Sequence, residues 1–538
     1  MTTRRPGPSR PTAGRSATRR TVQPAFSRAA YERRLSQFMA EQGEAYFLAL
    51  SGQRDELGLE AIYERHAALF DRAAIDGLLA LARVSDASSR EARALLAFAI
   101  EGYLERQVAE LTDAIQAAEA QAAVMWRGER IPYRAVPIRV GEISHRGERN
   151  ALDASYQAAV EAINPLRARR LALLRSAMDE LGYPDEAALM RELHGVGVDE
   201  LSADLRQFLV ESETVYFAAL RRYLAEIDIE QGDASTADLS YLLRGIGWDP
   251  WFEQRRMLPV AEATLRGLGI ELRAQPNVTL DLTQRPNKSP RAFAVPVRVP
   301  QDVRLVLQPR GGHDDYDGLL HELGHVEHFA HVDPKLPVAW KHVGDNSVTE
   351  AYAFLFQYLM LEPEWLAEQL GMPDAEAAAW ADFAAFRKLF YLRRYVAKLL
   401  YELRLHRDAD IGLASAYYAG MLGLLTGVRT PEASFLADLD DHFYAVRYLR
   451  AWMLEGSIAA SLKARHGDRW WREPGAGETL RRSWARGQEW NAQDVVAHLG
   501  YDRLDWRPVL RQIRTRLIGE MSGYGGPNIT TRAGTRKV

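Results

Sequence analysis

Apolar residues recur three and four positions apart along most of the 538-residue chain. The pattern is clear between Ala92 and Ala120, and it extends with interruptions from about residue 26 to residue 270. This spacing places apolar side chains on one face of an α-helix, whereas a half-buried strand needs a period of two. The first half of the chain is therefore predicted to be a set of packed amphipathic helices.

A short stretch after residue 270 has a different pattern. Three β-rich runs are separated there by Pro, Asn and Gly, and they span Val278–Leu282, Ala292–Val297 and Val303–Leu307. Helical periodicity returns near Asp315 and continues to about residue 465. The predicted fold is mostly α, with one small β-sheet beside the helix that starts near Asp315.

Composition excludes several kinds of protein. The chain contains no cysteine, so disulfides and thiolate metal sites are impossible and any metal must bind His, Asp or Glu. The formal charge of −4 is unlike the strong basic excess of nucleic-acid-binding proteins, and we expect no nucleic-acid partner. No apolar run reaches the length of a membrane span or a secretory signal, so we expect no membrane partner and a cytoplasmic location.

One segment has the spacing of a metal site. His321 and His325 lie four residues apart in a helix-compatible stretch, and Glu322 follows the first histidine. Side chains at positions i and i+4 are neighbours on a helix, with about 5–6 Å between their β-carbons. Two imidazoles so placed can bind one Zn²⁺, and the glutamate can reach water at the metal. We expect one Zn²⁺ per chain.

A catalytic zinc generally takes three protein ligands, and two residues compete for the third position. His331 has the spacing of the metzincin motif, but His328 stands where that motif has glycine. Glu350 is a lone carboxylate at the start of an apolar helix and suits a buried cation. Glu350 also fits a second interpretation, a capping box with Ser347, in which it only bonds backbone.

The sequence around this motif resembles the gluzincin peptidases. The likeness is specific at residues 319–328, 336–338 and 349–351, and it is greatest to the thimet-oligopeptidase/oligoendopeptidase-F and angiotensin-converting-enzyme families. It also appears at residues 46–59 and 238–244 and so covers most of the chain. It implies that Glu350 completes the zinc site of His321 and His325. It also implies a large helical ellipsoid with a deep channel that admits short peptides and excludes folded proteins.

The resemblance implies further site residues. Arg447 and Tyr448 are similar to an Arg-Tyr pair whose tyrosine donates a hydrogen bond to the oxyanion, with Tyr444 as a rival donor. His442 loosely resembles a substrate-binding histidine, and Arg447 and Tyr444 are placed with it in substrate binding.

The chain also departs from the angiotensin-converting-enzyme pattern. Phe354 stands where that family has an aspartate, and Ala445 stands where it has a tyrosine. These departures leave open which side chains support the zinc ligands and whether a substrate's carboxyl end is anchored.

Ala292 and Phe293 lie on a strand that could bind substrate by a different means. If this strand is at the edge of its sheet, its free backbone groups can pair with an extended peptide.

Together these features predict a zinc metallopeptidase that hydrolyses short peptides, with Glu322 activating the attacking water. The alternative is a non-catalytic zinc- or peptide-binding protein on the same scaffold. We expect a disordered basic tail (1–25), an N-terminal helical part (26–270), a catalytic part with the sheet and zinc helices (271–520), and a flexible tail (521–538). The oligomeric state does not follow from the sequence.

Overall fold

The computed structural model describes residues 26–84, 88–408 and 410–519. Both predicted tails, residues 1–25 and 521–538, lie outside these ranges. The helices in the described ranges are α1 (Arg28–Leu50), α2 (Leu59–Arg65), α3 (Arg72–Ala82), α4 (Ser88–Gln121), α5 (Val136–Glu142), α6 (Arg146–Leu181), α7 (Glu186–His194), α8 (Val198–Ala225), α9 (Thr236–Arg244), α10 (Met257–Gly267), α11 (His313–Ala330), α12 (Val338–His342), α13 (Asn346–Gln357), α14 (Pro363–Leu370), α15 (Asp374–Arg407), α16 (Ala414–Thr426), α17 (Tyr444–His466), α18 (Pro474–Trp484), α19 (Ala492–His498) and α20 (Arg507–Gly519). The mostly α fold class is confirmed.

The predicted sheet is present. Its strands are β3 (Val278–Asp281), β4 (Phe293–Arg298) and β5 (Asp302–Val306), in the order β3-β5-β4. Strand β3 runs parallel to β5, and β4 runs antiparallel to it. Strand β4 is consequently an edge strand, and its free side faces α11, where Ala294 bonds a side chain of that helix.

A second, two-stranded sheet was not predicted. Strands β1 (Ala123–Trp126) and β2 (Glu129–Pro132) form an antiparallel hairpin. The turn residues Arg127 and Gly128 have φ values of 51° and 82°, which is the left-handed backbone that two-residue hairpin turns require. The described chain therefore has a second small sheet besides the predicted one. The pair Arg127-Gly128, at the turn, is the feature of the sequence that could have indicated this hairpin.

Residues on both sides of position 270 share one core. Its buried side chains range from Ala187 to Leu517 and include Tyr216 and Phe386, whose rings stack at 6.2 Å. A second core joins α1, α3 and α4 around Phe38. None of the helices in the described ranges is both long and apolar enough to cross a lipid bilayer.

Helices α11 and α13 approach each other closely at one glycine. A β-carbon on Gly324 would lie 2.5 Å from the Tyr352 carbonyl oxygen and 2.6 Å from the α-carbon of Ala353. Any larger residue would push the two helices apart. Because the predicted metal ligands sit on these two helices, this contact sets the distance between them.

Candidate metal centre

Three side chains from α11 and α13 converge. His321 and His325 on α11 and Glu350 on α13 each offer a ligand atom, and these atoms lie within 4.8 Å of one another. Glu350 Oε2 is 3.4 Å from His321 Nε2 and 3.7 Å from His325 Nε2. The structure thus brings together the three residues that the sequence nominates as ligands.

The donor set fits a zinc ion. Glu350 is buried, and its Oε2 has no hydrogen-bond partner in the described part of the chain. A buried carboxylate oxygen is costly unless a cation or donor faces it. Two imidazole nitrogens and one carboxylate oxygen form a donor set found at catalytic zinc sites, which keep a further position open.

The environment changes the pKa values of these groups. Burial lowers the pKa of His325 to about 4, which keeps its imidazole neutral with a free lone pair. Burial also acts to lower the pKa of His321, but the neighbouring Glu350 carboxylate outweighs it and raises that pKa. The pKa of Glu350 is lowered because the two histidines favour its charged form more than burial disfavours it.

Each ligand is held by a second side chain. His321 Nδ1 lies 3.0 Å from Gln357 Oε1, and His325 Nδ1 lies 2.9 Å from Thr349 Oγ1. Such bonds to Nδ1 fix the ring and leave Nε2 free for a metal.

The carboxylate is held by a tyrosine. The Tyr444 hydroxyl donates to Glu350 Oε1 at 3.0 Å. Gln357 and Thr349 were missed from sequence, although Gln357 is seven residues after Glu350 and so lies on nearly the same helix face.

The sequence left two alternatives to Glu350 as the third ligand: His331 as the ligand, or a capping role for Glu350. His331 Nδ1 donates to the Glu327 carbonyl oxygen at 2.9 Å, and its ring lies against Trp484 at 5.4 Å. The N-cap of α13 is Asp345, whose side chain accepts from the Ser347 amide. The capping interpretation of Glu350 is therefore wrong.

Glu322 is positioned by the edge strand. Its Oε2 accepts a hydrogen bond from the Ala294 amide at 2.8 Å. Burial raises the pKa of Glu322 to about 7, against a smaller opposing effect of His321. A carboxyl group with a pKa near neutrality can both take and return a proton.

The free edge of β4 passes this glutamate. Backbone groups of alternate residues point to the same side of a strand, so Ala292 presents its backbone on the same edge as Ala294. Phe293 pairs with Val306 of β5, while its side chain lines a cleft. Pro296, two residues after Ala294, has no amide hydrogen, so the amide donors along this edge stop there.

Two cavities meet at Glu322. A cleft of about 1180 Å³ includes Ala292, Phe293 and His321 in its lining. A pocket of about 290 Å³ is lined by Ala294, Pro296, His325, Thr349 and Tyr444, among others. Since Glu322 lines both, an extended chain along β4 would cross the candidate metal site between them.

The two tyrosines proposed as oxyanion donors differ in their contacts. Their rings lie 4.9 Å apart, and Tyr444 is committed to Glu350. Tyr448 packs on Phe354 at 5.9 Å, and no described residue accepts a hydrogen bond from its hydroxyl. Burial raises the pKa of Tyr448, so this hydroxyl stays protonated and able to donate.

His442 and Arg447 are bound to carboxylates. His442 Nε2 lies 3.1 Å from Glu105 Oε1, and Arg447 Nη2 lies 2.5 Å from Glu101 Oε1. Neither residue is among those that line the two cavities, and Tyr448 is not among them either. His442 and Arg447 are bound to carboxylates, whereas the Tyr448 hydroxyl has no acceptor among the described residues.

A second group of possible ligands, His313, Asp314 and Asp317, lies one to two turns before His321. The Arg387 guanidinium bonds all three, at 3.1 Å to His313 Nδ1, 3.2 Å to Asp314 and 3.1 Å to Asp317. The positive charge of Arg387 therefore already balances the charge of these acidic side chains.

The fold and the site together define a mostly helical protein with a His-Glu-x-x-His helix whose histidines meet a glutamate from a second helix. No family model and no curated protein matches the chain. Among solved structures, it is similar to the M32 carboxypeptidase from Deinococcus radiodurans R1, with a TM-score of 0.56 and 17% sequence identity. The match covers 91% of this chain and 97% of that one, which extends the shared fold over nearly the whole molecule.

Proposed function

We propose that the protein is a zinc-dependent peptidase that cleaves short peptides. The observation that carries this proposal is the convergence of His321, His325 and Glu350 beside a buried Glu322 at a free strand edge. The fold similarity to a carboxypeptidase supports it.

The residues of the chain would share the chemistry as follows. Zinc, when bound by the three ligands, supplies a Lewis acid that polarises the scissile carbonyl and lowers the pKa of water. Glu322 takes a proton from the attacking water and returns it to the leaving amine. Tyr448 donates a hydrogen bond to the oxygen that becomes negative in the transition state. The backbone of Ala292 and Ala294 holds the peptide extended.

The small pocket supports cleavage near the carboxyl end of a peptide. Gln488 is 4% exposed, and its Oε1 accepts from the Gly344 amide at 2.6 Å. That bond fixes the amide orientation and leaves Nε2 as a donor in the pocket lining. Lys341, His342 and Asn346 line the same pocket, and Glu322 is its single acidic residue. A pocket in which several donors face one acid suits a terminal carboxylate.

Metal content and cleavage of a mixed peptide library test the proposal. We expect one zinc per chain, metal-dependent hydrolysis, and loss of hydrolysis with retention of zinc in Glu322→Gln. A Glu350→Ala variant should lose zinc. A wild-type protein that binds zinc but cleaves no peptide in the library would favour a non-catalytic binding protein.

A further inference from the structure

The turn that precedes α17 has an unusual backbone. His442 and Phe443 have φ values of 55° and 47°, so two consecutive residues with β-carbons adopt the left-handed conformation. Side chains make this conformation unfavourable for residues other than glycine, asparagine and aspartate. Surrounding contacts must therefore hold the turn in place.

Two carboxylates from the N-terminal half supply those contacts. Glu186 Oε1 accepts from the His442 amide at 2.7 Å and lies 3.4 Å from its Nδ1. Glu105 Oε1 lies 3.1 Å from Nε2 of the same ring. Both ring nitrogens thus face a carboxylate, and these carboxylates raise the pKa of His442 well above its usual value despite burial. The imidazolium and the two acids form a clamp across α4, α7 and the turn.

Neighbouring ion pairs fasten the residues on either side. Asp441 accepts two hydrogen bonds from Arg170 of α6, at 2.6 and 2.9 Å. Arg447, in the first turns of α17, binds Glu101 of α4. His406 of α15 lies 2.8 Å from Glu186 Oε2 and completes the group.

The clamped turn leads directly into the candidate metal centre. Tyr444 is the first residue of α17, two positions after His442, and its hydroxyl holds Glu350 Oε1. Glu350 Oε2 is the atom that faces the two histidines. The orientation of the carboxylate therefore depends on where α17 begins.

We propose that His442, gripped by Glu105 and Glu186, is a positioning residue that acts through Tyr444 to orient the Glu350 carboxylate at the metal. This inference rests on the proposed function of the site. It assigns His442 a role in the metal centre instead of contact with substrate.

The variants for the test are His442→Asn and Glu105→Gln. Asparagine tolerates the left-handed conformation but cannot bridge two carboxylates with a positive charge. Glu105→Gln keeps the shape of an acid whose side chain is 37% exposed, so it provides a second test if His442→Asn folds poorly. His66→Asn is the matched control, because His66 is a buried histidine that pairs with Glu41 at 3.3 Å, in the core formed by α1, α3 and α4.

The readouts are kcat, KM, zinc affinity by chelator competition and the visible spectrum of the cobalt-substituted protein. We expect both variants to lower kcat or zinc affinity about 10- to 100-fold, as is typical for residues that orient metal ligands. KM should change little, the cobalt bands should shift, and His66→Asn should match the wild type. Unchanged spectra, affinities and kcat in both variants would overturn the inference.

A double-mutant cycle with Tyr444→Phe separates positioning from general destabilisation. If His442 acts through Tyr444, adding His442→Asn to Tyr444→Phe should cause little further loss. Fully additive losses would show that His442 acts by another route and would refute the inference. A wild type with neither cobalt bands nor hydrolysis would instead refute the proposed function itself.

Discussion

Gln357 Oε1 lies 3.0 Å from His321 Nδ1, two helical turns beyond Glu350 on the same helix. This pairing fixes the histidine tautomer that exposes Nε2. We expect Gln357→Ala to weaken zinc binding about 10- to 100-fold, because partners of ligating histidines typically contribute that much. Chelator competition measures the change.

Gln357→Glu provides the contrasting variant. A carboxylate at this position accepts the same hydrogen bond more strongly, so zinc affinity should equal or exceed that of the wild type. Thr349→Val should weaken binding in the same direction as Gln357→Ala, because it removes the partner of His325 Nδ1. Wild-type zinc affinity in Gln357→Ala would contradict the assignment.

Gly324→Ala should destabilise the protein and the metal site together. The added methyl group would collide with the α13 backbone at Tyr352 and Ala353. Overpacking of this kind costs about 1–3 kcal/mol in the free energy of unfolding. Thermal and denaturant unfolding measure the loss, and zinc titration should show weaker binding.

Gly318→Ala is the control on the same helix. No atom lies within 4 Å of the position its β-carbon would take. Alanine has a higher helix propensity than glycine by about 0.8–1.0 kcal/mol, so this variant should be as stable as the wild type or more stable. Equal stability of the two variants would show that the α11–α13 contact tolerates a side chain.

Tyr448→Phe and Tyr444→Phe should have different consequences. Tyr448 has a hydroxyl without an acceptor in the described chain, so its removal should lower kcat about 10²- to 10³-fold, as for loss of an oxyanion donor. Tyr444→Phe should mainly weaken zinc binding, since its hydroxyl bonds Glu350. Steady-state kinetics at saturating zinc separates the two effects. The reverse pattern would make Tyr444 the oxyanion donor.

A peptide and its carboxyl-terminal amide test the small pocket. We expect the free acid to be cleaved near its carboxyl end with the higher kcat/KM. Gln488→Glu keeps an acceptor for the Gly344 amide but places an acid in the pocket. The variant should lose at least about tenfold for the free acid, or 1.4 kcal/mol, and little for the amide. Equal internal cleavage of both peptides by the wild type would refute a carboxyl-end anchor.

Periodicity predicted the elements well because it records which faces are buried. Strand β3 begins at Val278 as expected, and α11 begins at His313, two residues before the expected Asp315. The spacing of His321 and His325 fixed their common face, because that relationship is local to one helix. Glu350 could be chosen as the third ligand only through the family resemblance, because its position relative to the histidines depends on how two helices pack.

Other parts of the site could not be predicted for the same reason. Glu105 and Glu186 are more than 250 residues away from His442 in sequence, and only the assembled fold shows that they bind it. The resemblance suggests substrate binding for His442 and Arg447, and it carries no information about these acids. Gln357 could not be found through the resemblance, because the related family has its polar residue four positions after the ligand glutamate. That position is Phe354 here, and its ring packs on His321.

The free edge of β4 also bears on solubility. An unpaired strand edge is a template on which other chains can aggregate, and proteins usually cover or shorten such edges. Here the edge is short, Pro296 interrupts its amide donors, and one of its amides is occupied by Glu322. It also opens onto cavities between helices instead of a flat surface. The geometry that admits a single extended peptide thus keeps strands of folded neighbours from reaching the same backbone.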